Sequence, residues 1–182
     1  GNFGDILAGY FAKKMGLPVK KLVIATNEND ILDRFLKSGT YERSDKVAAT
    51  LSPAMDILIS SNFERLLWYL AYENLANHDA LKAGEICNNW FQQLKTEGKF
   101  TVDQAIIDGA LKDFSSERVS NTETTATIKK MYKDSQNPKK YILDPHTAVG
   151  VCATERLIKA DNDPSMHYIS LSTAHPAKFA DA

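Results

Sequence analysis

Two glycines three residues apart, Gly1 and Gly4, stand with Asn2, Phe3 and Asp5 directly ahead of an apolar-periodic run from Ile6 to Met15. Such a loop can bend its backbone closely around a ligand, because glycine carries no Cβ to obstruct the approach and takes positive φ easily. The first-turn N–H groups of the helix that follows have no intrahelical partner. Together with the positive end of the helix dipole they form an anion site. The chemistry on offer is that of a phosphate cradle. Taken alone, a GxxG turn more often only starts a helix. Asp5 in a first turn stabilises the dipole without touching any ligand, and only its backbone N–H suits a phosphate.

A second group of chemistry-bearing side chains lies near the C-terminus. Ser172 and Thr173 follow the run His167-Tyr168-Ile169-Ser170-Leu171. Strand alternation would turn only one of the two hydroxyls toward a site, and residue type alone leaves the pair open. His146 and His175 stand where a strand end meets a helix start, a place where a lone histidine usually caps or packs. Lys178 falls inside the expected last helix; the resemblance set out below leaves it as structural or as a contact to a substrate phosphate. No pair of carboxylates suits glycosidase chemistry and no His/Cys grouping has ligand spacing, so no metal is expected. Cys87 and Cys152 read as free thiols of a reducing compartment.

The totals exclude other classes. With 22 basic and 23 acidic residues and a net charge of −1, the chain offers no field for a polyanion, so no nucleic acid partner is expected. No apolar run approaches a membrane span and no secretory signal precedes the first loop, so the expectation is a cytoplasmic protein without a membrane partner. A hydrophobic content of 43% in 182 residues suffices for one buried core.

The elements that must position these residues follow an α/β rhythm. The run from Asp5 to Met15 is a helix ended by Gly16, residues 21–26 a buried strand, and Asn27 to Asp30 N-cap chemistry for a helix from Ile31 to Lys37. Residues 41–52 read as loop. Helices are predicted over 63–75, with Phe63, Leu66, Leu67 and Leu70 on one face, and over 81–95, with Ile86, Trp90, Phe91 and Leu94 buried. Another runs to about Leu111, and a charged, exposed one over 122–134 carries Lys129, Lys130 and Lys133 on a solvated face. Strands are predicted at 141–143 and 167–171, on either side of a helix from Ala148 to Ala160, and a last helix begins near His175-Pro176. Ligand sites in open α/β sheets form at the carboxyl ends of strands. The loops after Thr26, Asp144 and Leu171 are therefore expected to converge with the N-terminal loop.

Five ordered blocks carry a resemblance: Gly1-Asn2-Phe3-Gly4-Asp5 with the run to Tyr10, Ala25-Thr26-Asn27-Glu28-Asn29-Asp30, Ser52-Pro53-Ala54-Met55-Asp56-Ile57, Asp144-Pro145-His146-Thr147-Ala148-Val149-Gly150, and Ser172-Thr173-Ala174-His175-Pro176-Ala177-Lys178-Phe179. Together they resemble the threonine synthases, fold-type II pyridoxal 5′-phosphate (PLP) enzymes. The resemblance implies an α/β piece of that large domain, residues 1–182, mainly parallel sheet flanked by helices, with 76–135 as a helical insertion. It implies PLP as cofactor, with Gly1, Asn2, Phe3, Gly4 and Asp5 on its phosphate side and Thr173, rather than Ser172, at its pyridine nitrogen. In the family the Schiff-base lysine lies upstream of the GNFGD loop. No catalytic residue is therefore expected here, and the missing N-terminal part of the same enzyme is an expected partner. A start at glycine and a stop within an expected helix fit the same expectation of a truncated chain, inactive alone. The implied reaction converts O-phospho-L-homoserine and water to L-threonine and phosphate. The alternatives are a related type II lyase, dehydratase or phospholyase, or a catalytically silent α/β fragment.

Overall fold

The computed structural model describes residues 2–133 and 140–179. Helix α1 (Gly4–Lys14) precedes strand β1 (Leu22–Thr26), helix α2 (Ile31–Ser38) and strand β2 (Thr40–Glu42). Helices α3 (Phe63–Asn74) and α4 (Ala80–Glu97), strand β3 (Lys99–Thr101), helix α5 (Gln104–Asp113) and strand β4 (Phe114–Arg118) come next. Helices α6 (Asn121–Lys133) and α7 (Pro145–Asp161) and a 3-10 turn at Pro176–Phe179 complete the order. β1 pairs with β4 in a parallel two-stranded sheet. β2 and β3 run antiparallel, with Tyr41 opposite Phe100.

The chain divides into two compact units. The first, residues 2–24, 30–47 and 57–116, is organised by aromatic packing. The Tyr41 ring stacks on Phe63 at 5.4 Å and on Phe100 at 5.3 Å between centroids, and Phe35 meets Phe63 edge-on at 5.1 Å. Trp90 from α4 stacks on Phe100 in turn. The stripe foreseen on α3, Phe63, Leu66, Leu67 and Leu70, is buried, as are Trp90 and Leu94 of α4, with Ile86 and Phe91 partly buried beside them. The Tyr41 hydroxyl accepts a hydrogen bond from the Ser60 N–H at 2.9 Å, and burial pushes its pKa up to about 12. Gly39 ends α2 at φ 74°, where its missing Cβ avoids the left-handed penalty.

The second unit comprises residues 25–29, 48–56, 117–133 and 140–179. Its small core joins Val119, Val149 and Ala153. On α6, Lys129, Lys130 and Lys133 are exposed as expected, and Lys130 pairs with Glu155 of α7 at 2.7 Å.

Several expectations are corrected. The segments 141–143 and 167–171 are not strands, because among the described residues no neighbouring strand takes up their N–H and C=O groups. Tyr141, Ile142, Ile169 and Leu171 are accordingly exposed. Residues 41–52 are not all loop, since β2 pairs with β3. The sequence offers no strand signal after α5, yet Phe114–Arg118 is strand β4. Asp30 takes the N-cap position of α2 without capping it; its carboxylate accepts from Arg34 Nε instead.

Glu123 supplies a pH-sensitive contact of the second unit. Its carboxyl is held at about 2 by hydrogen bonds from the Ser120 N–H and hydroxyl, with the Arg156 guanidinium adding to the effect. A depressed pKa stabilises above the ordinary value of 4.5, and that stabilisation is lost as pH falls toward about 2. The side chain is 45% exposed, so solvent screens the interaction. Glu123→Gln should destabilise by about 0.5–1 kcal/mol at neutral pH. Urea midpoints of the two proteins should converge as the pH is lowered through that window, and a constant difference would contradict this account.

Candidate functional site

The N-terminal loop is built around Phe3. This residue stands at the N-cap position of α1 in the left-handed conformation, φ 65° and ψ 11°, and its ring is buried against Phe63 at 5.2 Å and Phe114 at 6.0 Å. The Asn2 carbonyl accepts from Asn62 Nδ2 at 2.9 Å. The Phe3 carbonyl receives the first helical bond, from Leu7 N–H at 3.1 Å. No side chain caps the helix. The N–H groups of Gly4, Asp5 and Ile6 thus lie ahead of the first bonded turn, and Gly4 and Asp5 are exposed. A Cβ built on Gly4 meets only Asn62 Nδ2, at 3.9 Å. This is an open, uncapped N-terminus on an eleven-residue helix, which suits a phosphate group. Phe3 stands in the sequence as one residue of the cofactor-phosphate loop; its ring proves to be a core residue. Gly1 lies outside the described residues.

Thr173 lies in the second unit. Its backbone N–H donates to Thr147 Oγ1 at 3.0 Å, while its side chain is exposed and its hydroxyl has no hydrogen-bond partner among the described residues. Thr147 belongs to the first turn of α7, whose N-cap is Asp144. Both Asp144 oxygens are saturated. Oδ1 accepts from the His146 N–H and Nδ1, each at 2.9 Å, and Oδ2 accepts from the Thr147 N–H at 3.2 Å and from the Thr147 hydroxyl. His146 Nε2 accepts from the Ala54 N–H at 3.0 Å. Because a backbone N–H can only donate, this contact puts the ring proton on Nδ1, facing Asp144. The His146 ring also packs on Phe179 at 4.2 Å. His146 is therefore a packing and cap-supporting residue, and His175 Nδ1 accepts from the Ala177 N–H at 3.2 Å. Lys178 is exposed, its Nζ over the Phe179 ring.

A second polar cluster holds two of the sequence blocks together. Asp56 Oδ1 accepts from Asn27 Nδ2 at 2.8 Å, Asn29 Nδ2 at 2.9 Å and the Thr50 hydroxyl at 2.6 Å, and Oδ2 accepts from Thr50 N–H at 2.9 Å. Asn27 Nδ2 also reaches Ser52 Oγ at 2.9 Å. The loop after β1 is tied to the start of α6, where the Asn121 N–H donates to Glu28 Oε1 at 3.2 Å. The second unit thus gathers the loops after Thr26 and before α7 with the segment carrying Thr173. Sequence reasoning missed Asn27, Thr50, Asp56, Asp144 and Thr147 as individual groups. The available signal was that the blocks carrying four of them are rich in short polar side chains. Among the described residues, no cluster of three or more His, Cys, Asp or Glu could hold a metal.

Comparison with known proteins supplies the class first: the fold is α/β, that of part of a fold-type II PLP-enzyme large domain. Within that class the enzymes to which the chain is similar are threonine synthases. The family described as "Threonine synthase, C-terminal" matches residues 147–182. Threonine synthase of Saccharomyces cerevisiae is 84% identical over 182 residues, which are all of this chain and 35% of that relative. The crystal structure of threonine synthase from yeast superposes at a TM-score of 0.97 with 83% identity, covering 100% of this chain and 36% of the other. A PLP-bound threonine synthase from Brucella melitensis superposes at 0.81 with 43% identity, covering 100% and 35%. The chain thus spans about a third of the length of the relatives it matches.

The Asp56 cluster has a direct test. In Asp56→Asn the amide keeps an acceptor oxygen at the Oδ1 place, so its NH2 falls at the Oδ2 place and faces the Thr50 N–H donor to donor, costing about 1–3 kcal/mol. Exchange of the Thr50 amide should quicken at least about tenfold. Exchange at the parent rate would remove Asp56 as the organiser of these loops.

Proposed function

We propose that these residues are part of a threonine synthase, a PLP-dependent lyase that converts O-phospho-L-homoserine and water to L-threonine and phosphate in the cytoplasm. The observation that carries the reading is the uncapped, glycine-entered N-terminus of α1 in a chain similar over its whole length to threonine synthases. Residues 1–182 form part of the PLP-binding large domain, with 76–135 as an insertion that is mainly helical but, contrary to the all-helical expectation, also carries β3 and β4. The lysine that holds the cofactor covalently lies in another part of the enzyme, so these residues alone do not turn over. Among the described residues, no helix is long and apolar enough to cross a membrane.

The residues present fit the cofactor at two places. The N–H groups of Gly4, Asp5 and Ile6 would hold its phosphate, with Gly1, Asn2 and Phe3 shaping the approach, and the Thr173 hydroxyl would meet its pyridine nitrogen. Bound PLP supplies an electron sink for charge developed on the substrate. The backbone donors bind the phosphate dianion at the positive end of α1 without any side-chain charge. Asp5 contributes its N–H and keeps its carboxylate turned to solvent. The Thr173 hydroxyl can donate or accept, so it aligns the ring without fixing the nitrogen as protonated.

Gly4→Val tests the loop. The space around Gly4 admits a side chain without a clash inside the protein, so the full-length enzyme should still fold. A branched side chain there would crowd the donors, and PLP affinity should fall at least about tenfold, or about 1.4 kcal/mol. Unchanged affinity in a folded protein would refute the cradle. Substrate class is read separately: the full-length enzyme should release phosphate from O-phospho-L-homoserine, and keto-acid formation from threonine instead would identify a dehydratase.

A further inference from the structure

We infer that Thr147 is the positioning residue for Thr173, its single hydroxyl linking the buried Asp144 carboxylate to the backbone of the ring-nitrogen partner; this rests on the reading of Thr173 given above. The segment from 167 to 175 lies in neither helix nor strand, so no regular backbone ladder fixes where the Thr173 side chain points. The Thr173 N–H is instead held at 3.0 Å by Thr147 Oγ1, and Thr147 is itself only 4% exposed.

The direction of each bond follows from the groups involved. The Asp144 carboxylate can only accept, so the Thr147 hydroxyl proton points to Oδ2. The Thr173 N–H can only donate, so it uses a lone pair on the same oxygen. Donation to an anion polarises the hydroxyl and strengthens its oxygen as an acceptor. Thr147 therefore has its proton and a lone pair both assigned, with no freedom to rotate. His146 repeats the arrangement one residue earlier: Nδ1 donates to Oδ1, Nε2 accepts from Ala54, and its ring packs on Phe179 six residues beyond Thr173. One buried carboxylate thereby fixes two points of the segment 173–179, and the Thr173 hydroxyl, at the first of them, has no hydrogen-bond partner among the described residues.

Such support matters because a partner group must be held within about 0.5 Å of its productive place. A displacement of about 1 Å costs up to about 100-fold in rate. Thr147→Val keeps shape and volume but removes both bonds, and Thr147→Ser keeps both. In the full-length enzyme with PLP bound, Thr147→Val should retain cofactor at parent stoichiometry and move its absorption band in the direction that Thr173→Val moves it. It should lower kcat about 10- to 100-fold with KM changed less than about threefold, and Thr147→Ser should restore band and rate. In the cofactor-free protein the Thr173 amide should exchange at least about tenfold faster in Thr147→Val.

A Thr147→Val enzyme of reduced thermal stability but parent spectrum, kcat and Thr173 exchange would overturn the inference, leaving Thr147 a structural residue. If Thr147→Val does not fold, Thr147→Cys is read the same way, since a thiol keeps the volume and is a poor acceptor. The two levels separate cleanly. Thr173→Val with no effect on spectrum or rate refutes Thr173 as the ring partner and this inference with it. An effect of Thr173→Val together with a silent Thr147→Val refutes the positioning role alone.

Discussion

A carboxylate buried without a cation must be solvated by N–H and O–H groups, and this constraint shapes the second unit. Asp144 is 1% exposed and accepts four hydrogen bonds, all from the two residues that open α7 after Pro145. Losing one would weaken the solvation of a buried charge, at a cost of about 1.5–3 kcal/mol. That penalty exceeds what either side chain gains by exploring another rotamer. The orientation of His146 and Thr147 is consequently set by the ion. What each presents on its far side, a lone pair to Ala54 and a lone pair to Thr173, follows from it. Asp56 acts in the same manner on the loops 27–29 and 48–52, with asparagine amides and Thr50 as donors.

The first unit solves a different problem. Left-handed backbone at a non-glycine residue costs about 1–2 kcal/mol, yet Phe3 adopts it. Burying a phenylalanine ring returns about 1.5–3 kcal/mol, so packing against Phe63 and Phe114 prevails over the strain. The consequence is chemical. With a ring in the core, the N-cap position has no side-chain oxygen to cap α1, and an absent cap forgoes about 1 kcal/mol. The helix start is left with unpaired donors that an anion can take. In the proposed function this local deficit is the binding site.

Much of the helical framework was legible because 3.6-residue periodicity is a local signal. Phe63, Leu66, Leu67 and Leu70 announce α3 with no knowledge of what they pack on. Strands were less legible in both directions. β2 and β3 have three residues each, too few for alternation to register, and the polar stretch Ser115–Arg118 gave no apolar cue for β4. Conversely, Tyr141-Ile142-Leu143 and His167 to Leu171 have strand composition, but a strand exists only where a partner takes its hydrogen bonds, and composition does not report that. The site was legible as blocks and not as contacts. The Asp144-Pro145 pair marks a helix start, but the bonds from Thr173 to Thr147 and from Ala54 to His146 join residues 26 and 92 positions apart. No local pattern encodes them.

The two places proposed to meet the cofactor share one design. At α1 the donors are backbone groups whose positions are fixed by the helix they begin, so no side chain has to be ordered when the phosphate binds. At Thr173 the contact would be a side chain, but its backbone is held beforehand by a hydroxyl already committed to a buried ion. Both arrangements lower the entropy lost on binding, which otherwise amounts to about 0.5–1.5 kcal/mol per immobilised side chain. Asp144 reaches the Thr173 backbone only through Thr147, and both its oxygens are already taken. In the proposed site a neutral hydroxyl so supported would orient the ring while leaving its protonation to the ring's own chemistry. A carboxylate in direct contact would instead hold the nitrogen protonated.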